Sequence, residues 1–97
     1  MPESGVGTAT IDFGATPATE ASVAVTGQTA ISATSRVEAW IMARTTADND
    51  ANAHKQAAAF FRLVCSEPTA GVGFTITAYC LVGAAVGEFD IEYTWSD

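Results

Sequence analysis

Basic side chains are scarce in this sequence: 4 Lys and Arg stand against 11 Asp and Glu, for a formal net charge of −7 over 97 residues. That balance argues against a nucleic-acid or anionic-membrane binder, because both need clustered Lys and Arg. Cysteine is limited to 2 residues, too few for a disulfide framework. Histidine occurs once, a poor supply for nucleophilic catalysis, which needs a nucleophile, a base and an orienting group. No apolar run approaches the roughly 20 residues that span a bilayer as a helix. The opening Met1-Pro2-Glu3-Ser4-Gly5 lacks the basic and then apolar regions of a secretory leader. The length fits one small domain, with a core that buries only about 60–65% of the surface an unfolded chain exposes.

Hydrophobic periodicity is what the sequence does contain, and its period is mostly two, the mark of strands with one buried face. Over 87–95, Phe89, Ile91, Tyr93 and Trp95 point one way, and Glu88, Asp90, Glu92 and Thr94 the other. Over 73–82, Phe74, Ile76, Ala78 and Cys80 alternate with Thr75, Thr77, Tyr79 and Leu81. Over 36–44, Val37, Ala39, Ile41 and Ala43 share a face opposite Glu38, Trp40, Met42 and Arg44. Shorter alternations surround Asp12, Ala24 and Arg62. Six strands are expected, at about 8–13, 21–26, 36–44, 58–66, 73–82 and 87–95, separated by Gly and Pro turns.

Such a series reads as an all-β fold, a small six-stranded antiparallel β-sandwich, with a barrel as the alternative. Residues 1–7 are expected to form a flexible arm and 8–97 the single domain. The longest connection, 45–57, is expected to be a loop with one helical turn near its Ala-rich end, capped by Asp48 or Asp50. Alanine is abundant, so Trp40, Trp95, Phe60, Phe61, Phe74 and Phe89 are expected to supply much of the buried area. A core so lean points to oligomerisation.

No constellation carries chemistry. Asp48-Asn49-Asp50-Ala51-Asn52-Ala53-His54 begins like a Ca²⁺ loop. Ala53 then stands where such a loop needs Gly, and Ala59 where it needs a bidentate Glu. His54, Cys65 and Cys80 are one ligand short of a zinc site. A hairpin centred near 69–70 would set Cys65 opposite Phe74 and Cys80 opposite Ala59, about 20 Å apart, so two reduced core thiols are expected. Gly71-Val72-Gly73 opens a strand and is no phosphate cradle. Glu88, Asp90 and Glu92 read as a solvated stripe, which on an edge strand would oppose unwanted pairing. No catalytic residue, metal or cofactor is therefore assigned, and the chain is not expected to be an enzyme. Trp40 and Met42, with Arg36 and Arg44 on the same strand, read either as a second buried face under the long loop or as a subunit contact.

Several phrases taken together resemble small virion proteins of tailed bacteriophages. They are Ile11-Asp12-Phe13-Gly14 with Pro17, Ala21-Ser22-Val23-Ala24-Val25-Thr26-Gly27-Gln28, Val37-Glu38-Ala39-Trp40-Ile41-Met42, Thr46-Ala47-Asp48 with His54, Gly73-Phe74-Thr75-Ile76, and Phe89-Asp90-Ile91-Glu92-Tyr93-Thr94-Trp95. The resemblance spans 11–95. It implies a structural role on the virion, as a capsid decoration (cement) protein bound to the major capsid protein or as a tail-associated protein. It also implies a trimeric β-fold, made and assembled in the host bacterial cytoplasm. More loosely, Gly73-Phe74-Thr75-Ile76 and Tyr93-Thr94-Trp95 resemble strands of H-type lectin domains. Those are six-stranded sandwiches that trimerise and bind glycans, which implies exposed aromatics such as Tyr79 or Trp95, or the loop 45–57, at a binding rim.

Overall fold

In the computed structural model, residues 4–42, 49 and 51–96 are described. The strands are β1 (Ser4–Asp12), β2 (Glu20–Val25), β3 (Arg36–Ile41), β4 (Phe61–Cys65), β5 (Phe74–Cys80) and β6 (Glu88–Ser96), with one helix, α1 (Ala51–Phe60), between β3 and β4. They form two three-stranded antiparallel sheets, ordered β1-β6-β3 and β2-β5-β4. The two sheets make a small all-β sandwich, not a closed barrel. Its edge strands lie beside one another, β1 along β2 and β3 along β4. The acidic stripe is not on an edge: β6 is the central strand of its sheet.

Period-two patterning is realised most fully on β6. Phe89, Ile91, Tyr93 and Trp95 are all buried, and the residues between them lie on the outer face. Ile11 from β1, Ile76 from β5 and Ile91 from β6 belong to one core cluster, each with no exposed surface. Complete burial of such a side chain contributes about 1.5–3 kcal/mol.

The first strand begins at Ser4, not at residue 8, so residues 4–7 of the expected arm belong to the ladder. Two glycines explain why that stretch looks loose in sequence and yet is ordered. Gly5 sits opposite Trp95 and Gly7 opposite Tyr93 on the inner face. A Cβ on either would collide with the facing aromatic side chain. The rings therefore lie over the β1 backbone and supply the burial that the glycines lack.

Trp95 Nε1 donates to Gln28 Oε1 at 3.0 Å, and Gln28 Nε2 donates to the Thr26 carbonyl at 3.2 Å. A loop residue thus satisfies the indole N–H of a tryptophan that is buried, as a buried indole requires.

The opposite end is closed by aromatics. Phe13, Phe61 and Phe89 meet with ring centroids 5.0–5.9 Å apart in tilted and edge-on arrangements. Phe60 and Trp40, both expected as core residues, are 46% and 40% exposed, while Tyr93, on the expected inward row, and Phe13 are buried. Phe60 closes the helix and Phe61 opens β4, so of two adjacent phenylalanines only the second enters the sandwich.

The long connection carries a ten-residue helix and not a single turn. Its inner side is Ala53, His54 and Ala57, at the three- and four-residue spacing of a helix face. Small side chains and a histidine do not register as an apolar stripe, yet they let the helix sit close to β3 and β4. The expected 58–66 strand loses its first three positions to this helix. Asp48 and Asp50, the expected caps, lie outside the described residues.

His54 is wholly buried. Its ring packs on Phe89 at 5.1 Å, and its Nε2 accepts the Asp90 N–H at 2.9 Å. That nitrogen is therefore the unprotonated one of the ring. At the same point the Met42 N–H donates to the Asp90 carbonyl at 3.0 Å. Beyond Ile41, the imidazole thus continues the bonding of β6 that β3 begins. Asn49 Nδ2 donates to the carbonyls of Val86 and Glu88 at 3.2 and 2.9 Å, anchoring the approach to the helix.

The β4–β5 hairpin pairs Cys65 with Ile76 and Phe61 with Cys80, a register two residues from the expected one. Its turn closes on a Thr69–Gly73 bridge. Gly73 has φ 152°, and a Cβ there would run into the Val25 carbonyl. Only glycine lets the two backbones approach so closely.

Two stability measurements test these packing assignments. Gly7→Val places a branched side chain in the Tyr93 ring and is expected to lower the unfolding free energy by about 1–3 kcal/mol, read from urea midpoints at constant slope. His54→Ala removes the imidazole and orphans the Asp90 N–H, and is expected to cost about 2–4 kcal/mol by the same assay. A near-neutral result for either would remove the assigned contact.

Candidate functional site

No group of three or more His, Cys, Asp and Glu side chains among the described residues could hold a metal ion. Every buried side-chain nitrogen or oxygen among them has a partner. The two outer sheet faces carry exposed side chains, and strand pairing sets the order of residues on each.

Across the first sheet, Trp40 of β3 stands opposite Glu92 of β6, which stands opposite Thr8 of β1. The next row is Glu38, Thr94 and Val6. Arg36 lies at the end, opposite Ser96. Trp40 and Val6 thus flank Glu92 and Thr94 diagonally, around a shallow depression of about 460 Å³. Val6 is 80% exposed and Trp40 40%. The alternation read from sequence placed Glu38, Trp40, Met42 and Arg44 together, and of these Glu38 and Trp40 do share the outward side of β3. Met42 is half-buried just past the strand end, and Arg36 is exposed. Arg44 lies outside the described residues. Among the expected contacts, then, Arg36 and Trp40 lie on the outer side of β3, with Met42 just past its end. Val6 is the addition that sequence reading missed. Its only signal was a single valine between two glycines, and β1 pairing is needed to bring it to this face.

Trp95 is not a rim aromatic, because it is 3% exposed and its indole is bonded to Gln28. Tyr79 does stand outward, on the middle strand of the other face near the end of β5. There Glu20 of β2 and Arg62 of β4 lie on either side of it, in one row across the three strands. Val64 and Leu81 are exposed nearby, around a depression of about 610 Å³. One row along, Ser22 and Thr77 share a hydrogen bond through their hydroxyls at 3.0 Å.

Both cysteines are free. Cys80 pairs with Phe61, four residues before Cys65 on the same strand, so the two lie about 13 Å apart along the hairpin, beyond disulfide reach. Burial pushes the Cys65 thiol above the usual range, and the nearby Glu38 carboxylate adds to the rise. The folded state then holds its proton more tightly than the unfolded chain does. Stability from this group is present below the ordinary thiol range and falls as pH rises through the folded value.

No family model, no curated protein and no solved structure matches this chain.

The thiol shift gives a direct test. Cys65, followed by peptide mass after iodoacetamide treatment at pH 8, is expected to react several-fold more slowly than an unfolded thiol. The deficit should shrink as pH rises above the ordinary thiol range. Glu38→Gln should raise the Cys65 rate modestly, and a rate equal to that of the unfolded chain would contradict the burial argument.

Proposed function

We propose that this chain is a structural protein of a tailed-bacteriophage particle, a capsid decoration protein that binds across junctions of the major capsid protein and stabilises the shell. The observation that carries this reading is Trp40, a large aromatic kept partly exposed on a flat sheet face, with Val6 diagonal to it and Met42 just beyond. Tryptophan is prominent among residues that dominate binding energy at interfaces. A side chain on a strand paired within a sheet is already ordered, so docking it costs little further entropy. The resemblance of several of its phrases to small phage virion proteins favours the same reading.

The mechanism is physical and needs no catalytic group. A bound module adds buried area at subunit junctions, and binding to the assembled shell alone shifts the balance away from disassembly by mass action. The protein is made in the host cytoplasm, where free thiols such as Cys65 and Cys80 persist.

A second reading is favoured by one feature of the same face. Trp40 stands beside Glu92 and Thr8 around the depression, an aromatic face next to polar acceptors. Such a surface suits a sugar ring, as in a tail-fibre or tail-tip module that binds receptor glycans.

Particles stripped of the protein are expected to break at lower temperature or milder osmotic shock, and adding back the purified chain should restore them. Trp40→Ala should weaken binding to stripped particles by about 30-fold or more, near 2 kcal/mol, with its own melting little changed. Equal stability of stripped and intact particles would count against decoration. Binding on a glycan array at millimolar sugar, lost in Trp40→Ala, would move the assignment to the tail.

A further inference from the structure

The two outer faces of the sandwich differ in charge. On the first sheet, Asp12, Glu38, Glu88, Asp90 and Glu92 share the outer side with Arg36 as the one basic residue among those described. On the second, the outer positions are Glu20, Ser22 and Ala24 of β2, Arg62 and Val64 of β4, and Thr75, Thr77 and Tyr79 of β5. That face carries one carboxylate and one guanidinium, so it is neutral within a chain of formal charge −7. Past the end of β5, Leu81 continues the outward alternation, bonded through its N–H to the Phe60 carbonyl at 2.8 Å. The 81–87 segment that follows has no charged residue, and Leu81 and Val82 are more than 60% exposed.

Placement of the two charges is the informative feature. Glu20 and Arg62 both pair with Tyr79, one from each side. With neighbouring strands about 4.8 Å apart, their backbones stand about 10 Å from each other with Tyr79 midway. A face with opposite charges at equal distances from a central line is complementary to itself.

We infer that this face is a self-association surface, on which a second copy of the chain seats sheet against sheet about a two-fold axis parallel to β5. Rotation about such an axis carries Glu20 of one copy over Arg62 of the other, and Arg62 over Glu20, so both ion pairs form at once. Tyr79 meets Tyr79 and Leu81 meets Leu81 along the axis. An axis running across the strands would instead stack Glu20 on Glu20 and Arg62 on Arg62, which like-charge repulsion disfavours. Sheets packed face to face keep their strands within about 30° of one another, and an axis along the strand direction satisfies this. Each copy presents the same patch, as an isologous interface requires. The second copy is the occupant that the charges specify. A chain so acidic repels itself over most of its surface, and this neutral, half-apolar face is where two copies approach without that cost. The Trp40 face stays outward in the pair, available to a different partner, so the inference does not depend on the phage assignment.

The test is mass in solution by light scattering across concentration, with dissociation constants from analytical ultracentrifugation. The wild-type chain is expected to form a dimer. Glu20→Arg and Arg62→Glu are each expected to raise the dissociation constant tenfold or more, because each creates two like-charge contacts. The double swap, Glu20→Arg with Arg62→Glu, is expected to recover most of the loss, since the opposite charges then face each other again. Leu81→Arg should disrupt the pair from a different position. Circular dichroism of the double swap confirms that exposed charges at these positions leave the fold intact. A wild-type monomer or trimer, single reversals without effect, or a double swap no better than the singles would each overturn the proposal.

Discussion

The inward row of β6 is the constraint on which the rest of the molecule depends. Four large residues, Phe89, Ile91, Tyr93 and Trp95, enter the core from one central strand. A slip of one residue in its pairing would send all four to solvent and bring Glu88, Asp90, Glu92 and Thr94 inward. The burial penalty for three carboxylates makes that alternative unattainable. Strand β1 is shaped to this row, with glycine opposite Trp95 and Tyr93, whose rings lie over it, Ala9 opposite Ile91 and Ile11 opposite Phe89. The β2-β5-β4 sheet answers with a mix of sizes, Phe61 and Phe74 beside Ile76 and Ala78, so a chain rich in alanine still fills its interior.

The two ends of the sandwich are closed by different chemistry. At one, Gln28 reaches in from a loop and satisfies the indole of Trp95. At the other, three phenylalanines and the wholly buried His54 pack together, and the imidazole bonds a strand N–H. Both ends face the same problem, a buried polar group that must find a partner. The helix solves it at the aromatic end because its inner side is small enough to bring His54 within bonding distance of β6.

With the interior committed to packing, binding falls to the outer faces. One is acidic with an aromatic at its margin, and the other is neutral with a tyrosine between two opposite charges. The first is suited to a larger partner that brings its own basic or apolar complement. The second is suited to a copy of itself. On the proposed readings, one face would meet a copy of the chain and the other a different partner.

Period-two alternation was enough, read from the sequence alone, to establish six strands, the all-β class and the inward sets on β3, β5 and β6. Alternation reports directly on which side of a strand is dry. It also placed Glu38 and Trp40 on one side. Strand order was decided only by the fold, since alternation carries no information on which strand lies beside which. The central position of β6 and the rows Thr8–Glu92–Trp40 and Glu20–Tyr79–Arg62 therefore had to await the pairing. Likewise, glycines that read as flexible became ordered because aromatic rings from a strand more than 80 residues away lie over them. The helix was hidden because its buried side consists of Ala and His, whose burial depends on what packs against them and not on their own hydrophobicity.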